Sequence, residues 1–176
     1  MTNTPSARAV RRLTYFVVSL AVILLDQVTK SVVAERVPLH ASVPVIPGLF
    51  DLTHVKNSGA AFGLFASFDS PLRSVLLNSV AFVVFFAVLV YAWRTSAAST
   101  RLQVGLSLIL GGAVGNLLDR MRAGSVTDFL DFYVGSHRWP AFNVADSAIT
   151  IGVLLLAWDI WRPHEEAAAE TPPAAA

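Results

Sequence analysis

Between Gly111 and Ile149 the chain collects side chains that can move protons, in a setting where such side chains are costly. Four carboxylates, Asp119, Asp128, Asp131 and Asp146, lie there with Asn116, Arg120 and Asn143. Apolar runs long enough to cross a bilayer flank the stretch, and ionisable groups at a membrane boundary are usually kept for function. Two carboxyls a few ångströms apart cannot both ionise easily; they share one proton and titrate as a unit. The charged member can take a proton from water while the protonated one hydrogen-bonds a substrate carbonyl, the division of labour of an aspartyl peptidase. Low local dielectric strengthens that coupling.

Spacing sorts these residues in part. Asn116 stands three and four residues before Asp119 and Arg120, so on a helix all three share a face, and Arg120 can pair with a carboxylate there. Asn143 and Asp146 are three apart at the start of an apolar run and share a face in the same way. Asp128 lies between them in Val-Thr-Asp-Phe, and Asp131 follows in a second Asp-Phe. A tight connection between adjacent antiparallel helices would bring Asp128 opposite Asp146, but spacing does not choose between Asp128 and Asp131. Asp119 and Asp131 read more naturally as salt-bridge or cap residues, and a helix-start Asp such as Asp146 is often a plain N-cap. Asp26 and Lys30, four apart with the acid first, form a favourable helical pair. Such a pair also simply lets a helix end tolerate charge.

Other chemistries have less support. There are no cysteines, which excludes a thiol nucleophile, a disulfide framework and a Cys-ligated metal. No HExxH or GxSxG occurs, and His40, His54, His137 and His164 are scattered. Ser31 follows Lys30, but adjacent helical residues do not face each other, which argues against a Ser–Lys dyad. The net charge of +1 suggests no nucleic-acid partner. Two non-peptidase readings stay open: a small transporter or proton-conducting protein using the same acids, and a non-catalytic lipid-binding scaffold.

The elements that must position these residues are membrane helices. Of 176 residues, 55% are hydrophobic and 14% charged, against roughly 25% charged in an average soluble domain. Roughly 20 apolar residues cross a bilayer, and four runs qualify: about 13–33, 72–93, 102–118 and 141–161. A cleavable signal peptide is the rival reading of the first run, but Asp26, Gln27 and Lys30 lie inside it and no clear small-x-small site follows. Residues 35–71 form a long connection with Pro38, Pro44, Pro47 and Gly48; Phe50 to Val55 is β-prone, and the Ala-Ala-Phe-Gly-Leu-Phe part suits a surface lying on lipid. Pro71 marks a helix start. Residues 119–140 form the second long connection. Gly105, Gly111, Gly112 and Gly115 let the third run approach its neighbours closely. The chain thus reads as one membrane domain over 1–164 with a disordered Glu/Ala/Pro-rich tail over 165–176. Arginine-dominated flanks at Arg8, Arg11, Arg12, Arg94, Arg101 and Arg162 put both termini in the cytoplasm and both long connections outside.

Five blocks, in order, then resemble the lipoprotein (type II) signal peptidases of bacteria: Asp26-Gln-Val-Thr-Lys30, Asn57-Ser-Gly-Ala-Ala-Phe-Gly63, Gly115-Asn-Leu-Leu-Asp-Arg120, Val126-Thr-Asp-Phe129 and Phe142-Asn-Val-Ala-Asp-Ser147. The match runs from about Leu24 to Trp161. It implies an all-α membrane fold, a four-helix transmembrane bundle with a small extracytoplasmic β-structure and an interfacial helix, in the bacterial inner membrane. It implies an intramembrane aspartyl endopeptidase that removes the signal peptide of a diacylglyceryl-modified prolipoprotein before the lipidated cysteine. The resemblance assigns the dyad to Asp128 and Asp146. Asp26, Lys30, Asn57, Gly59, Asn116, Asp119, Arg120, Asn143 and Ala145 then line or support the site. No metal or cofactor is expected, the partners are the lipidated substrate and membrane lipid, and a monomer is expected.

Overall fold

The computed structural model describes residues 5–58, 79, 82, 83, 85–92 and 99–161. Gly59 and its block through Gly63, the lipid-lying segment up to Pro71, most of the second expected span and the tail over 165–176 lie outside the described residues. The elements in order are α1 (Pro5–Arg36), β1 (Ser42–Ile46), β2 (Phe50–Asn57), the helical residues 85–92 (α2), α3 (Thr100–Ala123), β3 (Val126–Val134), β4 (His137–Arg138) and α4 (Val144–Trp161).

α1 holds because neither glycine nor proline interrupts it after Pro5, which sits where its missing N–H costs nothing. It ends because Pro38 disfavours helical backbone at Val37. Its buried stripe is Asp26, Lys30 and Val33, continued by Val37 just past its end, while Phe16, Leu24, Leu25 and Val28 are exposed. The ion pair faces inward and the hydrocarbon outward. α4 likewise exposes Ile151, Val153, Leu154 and Trp158. Water would penalise such continuous apolar faces; lipid tails match them, and backbone polar groups stay satisfied within each helix. The segments Leu13–Arg36 and Thr100–Ala123 are each long and apolar enough to cross a membrane.

α3 is the central helix and packs against both α1 and α4. Ser99 caps its start, Oγ accepting from Leu102 N–H at 3.1 Å, and Gly124 ends it in the left-handed region at φ +68°. The helix runs five residues past the expected 118, so Asp119 and Arg120 lie within its last turns. Its glycines are contact points: a Cβ on Gly111 would meet the Ser19 carbonyl of α1 at 2.8 Å, and one on Gly112 would strike the Ala145 carbonyl of α4. The spacing of small residues therefore serves packing inside one chain.

The β-structure exceeds what the first connection was expected to supply. β1, β2, β3 and β4 form one antiparallel four-stranded sheet in that order. The second long connection, 119–140, contributes the nine-residue β3 and the short β4. Val126, Thr127, Asp128 and Phe129 are all buried, so this strand lacks the alternation of a half-solvated one and its period was hidden. Phe129 packs with Val33 and Val37 and seats the sheet on the end of α1. Phe142, just before α4, accepts from Phe129 N–H at 3.0 Å and Leu130 N–H at 2.8 Å and donates to Leu130 O at 3.1 Å. These bonds lay the entry of α4 alongside Asp128.

Candidate active site

Asn143 joins the strand to the helix. It is fully buried and caps α4: its Oδ1 accepts the Asp146 N–H at 2.9 Å, and its carbonyl accepts from Ser147 N–H at 3.1 Å. Its Nδ2 donates to Asp128 Oδ1 at 2.7 Å. The same amide thus fixes the position of one acid and the backbone of the other. Asp146 is not the N-cap; its Oδ1 accepts from Asn116 Nδ2 at 2.7 Å. Asp128 takes a second amide donor, Asn57 Nδ2, at 2.9 Å on Oδ2.

The amide orientations follow from groups that can only donate. Lys30, 4% exposed, directs its ammonium to Asp26 Oδ2 at 2.8 Å, Asp119 Oδ2 at 3.0 Å and Asn116 Oδ1 at 3.0 Å. Asn116 Oδ1 also accepts from Asn143 Nδ2 at 3.2 Å, so the Asn116 N–H has to face Asp146. Asp26, with no exposure, accepts the Ala145 N–H at 2.9 Å on its other oxygen. A carboxylate therefore meets the positive end of α4 from another helix. Gly115 makes room for it, since a Cβ there would lie 2.6 Å from Asp26 Oδ2.

Burial pushes the Asp128 carboxyl up to about 6. The charge of Asp146 acts in the same direction, whereas the Asn57 and Asn143 donors and the Lys30 ammonium oppose it. Arg120 lies close enough to feel the charges of Asp146, Asp128 and Asp119. The site therefore offers two carboxyls coupled by charge, each held by neutral amide donors, with cations one layer behind. The Asp128 carboxyl there keeps its proton to a higher pH than an ordinary carboxylate.

Of the residues singled out in the sequence, Asp26, Lys30, Asn57, Asn116, Asp119, Asn143 and Ala145 meet around Asp128 and Asp146, and Arg120 is within electrostatic reach. Gly59 lies outside the described residues. Asp119 makes contacts that tie elements together: Oδ2 accepts from Thr127 N–H at 3.1 Å and closes the turn from α3 to β3. Asp131 pairs with Arg138 on the other face of the sheet. Ser31 is exposed and bonds back to Gln27 O at 2.8 Å, facing away from Lys30. Sequence reasoning missed Gln27. Its Nε2 reaches Asp119 Oδ1 at 2.9 Å and its Oε1 accepts from Arg122 at 2.8 Å, tying α1 to the end of α3. The available signal was a neutral amide in an apolar span, a group that seldom goes unpartnered.

Residues 18–162 match the family model described as Signal peptidase (SPase) II. A lipoprotein signal peptidase of Desulforapulum autotrophicum is 50% identical over 143 residues, 81% of this chain and 88% of that protein. One from Geobacter metallireducens is 45% identical over 148 residues, 84% of this chain and 90% of the relative. Two solved bacterial membrane enzyme structures obtained by the in meso method superpose with a TM-score of 0.75 each. The first is 28% identical, covering 93% of this chain and 94% of the other; the second is 31% identical, covering 85% and 93%.

Proposed function

The chain belongs to the signal peptidase II family, and on that premise we propose that it is an intramembrane aspartyl endopeptidase with Asp128 and Asp146 as its catalytic pair. The substrate is a prolipoprotein already carrying diacylglyceryl on a cysteine, and the bond cut lies just before that cysteine. The observation that carries the reading is the convergence of both acids on one amide, with Asn143 donating to Asp128 and capping the turn that holds Asp146.

The chemistry needs two carboxyls and a water. The ionised carboxylate takes a proton from water as its oxygen attacks the scissile carbonyl carbon, while the protonated carboxyl hydrogen-bonds and then protonates the carbonyl oxygen. Collapse of the tetrahedral intermediate breaks the C–N bond, the carboxyl that gained the water's proton passes it to the leaving amine, and the gem-diol proton returns to the other acid. Asn116, Asn143 and Arg120 position substrate and carboxyls, a role in which misplacement by about 1 Å can cost about 10²-fold. Outward apolar faces on α1 and α4 suit lateral entry of the substrate helix, its acyl chains staying in hydrocarbon. Four spans, cytoplasmic termini, an interfacial helix after β2 and a site at the outer face complete the proposed arrangement.

The test is cleavage of a lipidated precursor by purified protein in detergent or liposomes. Asp128→Asn and Asp146→Asn should remain folded and bind substrate yet lose at least about 10⁴-fold in kcat. Near wild-type cleavage by either variant sinks the dyad. Ion or proton flux through liposomes without proteolysis would instead support the transporter reading.

A further inference from the structure

β2 and β3 do not pair in a single register. Phe50, Asp51 and Leu52 stand opposite Phe132, Asp131 and Leu130, whereas Val55, Lys56 and Asn57 stand opposite Asp128, Thr127 and Val126. β2 therefore carries one extra residue opposite Phe129, at Thr53–His54. Both are buried, which breaks the alternation along the strand. An extra residue of this kind moves every later side chain to the other face. Had the first register continued, Asp128 would face His54, and Lys56 would take the diagonal place beside it. In the bulged strand Lys56 points to the far face, Nζ donating to Thr127 Oγ1 at 2.8 Å, and Asn57 occupies the place beside Asp128.

His54 anchors the bulge. Its N–H donates to Ala41 O at 3.1 Å and its carbonyl accepts from His40 N–H at 2.8 Å, so its backbone groups turn away from β3. Its ring Nδ1 lies 2.9 Å from Val37 O, a carbonyl that can only accept, so Nδ1 carries the proton. His40, the partner of its carbonyl, sits at φ +66°, the only described non-glycine residue with positive φ. Such backbone persists where its surroundings over-determine it, and it clusters near functional sites.

We propose that the Thr53–His54 bulge is a register device of the active site, with His54 as its positioning residue: it aims Asn57 at Asp128 and keeps Lys56 on the opposite face. The inference rests on Asp128 being half of the dyad. An ammonium beside Asp128 would hold it ionised and end proton sharing, whereas an amide bonds it without adding charge.

The full-length protein is assayed on a lipidated precursor, with thermal unfolding as the control for folding. His54→Val removes the ring bond and favours a regular strand; cleavage should fall by about tenfold or more as the strand slips. Lys56→Asn alone should stay near wild type, but in the His54→Val background it puts an amide in the diagonal place and should restore most of the cleavage. His54→Asn, whose amide can still donate to Val37 O, should keep wild-type cleavage. The proposal is overturned if His54→Val cleaves normally, if a folded His54→Val/Lys56→Asn protein is no faster than His54→Val, or if His54→Asn is as slow as His54→Val. Should His54→Val not fold, a comparison in the native register decides: Asn57→Lys must cleave more slowly than Asn57→Ala, and equal rates overturn the inference. Cleavage surviving in Asp128→Asn would sink the dyad itself; these outcomes with Asp128→Asn inactive sink only the register device.

Discussion

Two pairs of carboxylates lie in this protein within a few residues of each other, on opposite faces of one strand. Asp51 and Asp131 are cross-strand partners in β2 and β3, both buried. Arg138 pairs with Asp131 and lies 3.8 Å from Asp51, and Tyr133 donates its hydroxyl to Asp51 Oδ1 at 2.9 Å. The Arg138 guanidinium also stacks on the Tyr133 ring, 4.4 Å from its centroid. Asp128 and Asp146 instead receive amide N–H groups from Asn57, Asn143 and Asn116. A permanent cation, Arg138, partners the first pair. Neutral donors hold the second pair in place without fixing its charge. Burial of two acids is common to both; the partners differ, and under the proposed function that difference leaves the second pair the one able to pass a proton.

The largest effect that could break this contrast is the loss of either dyad acid, expected to remove cleavage while leaving the fold. Next is Asn143→Ala. It should lower kcat by about 10²-fold through misplacement of both acids, and lower stability by about 1 kcal/mol through the lost cap, read by single-turnover cleavage and by thermal unfolding. If only stability changes, Asn143 is a cap and no more.

The charge state of Asp128 gives a third test. Its carboxyl is raised to about 6 in the folded protein by burial, from an ordinary value of 3.8. The folded state then binds the proton more tightly than the unfolded one, so stability from this group is full below the lower value and is lost as pH rises through the upper one. Thermal unfolding across pH 4 to 7 should show the wild type losing up to about 3 kcal/mol relative to Asp128→Asn. Parallel curves would mean that Asp128 titrates normally. The smallest expected effect sharpens the comparison from the other side: Asp131→Asn should cleave within about threefold of wild type, as befits an ion pair whose arginine is half exposed. An Asp131→Asn protein as inactive as Asp128→Asn would move the dyad to the wrong face of the sheet.

Much of the site was legible because the chemistry is expensive where it sits. Asp26, Lys30, Asn116, Asn143 and Asp146 interrupt or border apolar runs, and helical spacing of three and four already grouped them by face. The inward ion pair of α1 and the close-packing glycines of α3 were visible for the same reason, as violations of an apolar pattern. The strand after α3 was not legible: buried on both faces, residues 126–129 show no alternation to mark them as β. Gln27 was passed over because one neutral amide has several possible partners and the sequence names none.

The amino-acid order by itself marked the apolar runs, the polar stretch and a short set of candidate acids, since each depends on local composition and spacing. Spacing by itself did not separate Asp128 from Asp131; only the family resemblance pointed to Asp128. Three residues apart, they fall on opposite faces of a strand, and which face meets α4 depends on pairing with β2 across more than seventy positions. The folded chain sets which of the two lies beside α4, through the bulge at Thr53–His54 and the bonds from Phe142 to β3, because register is set by long-range contacts that local preference cannot express.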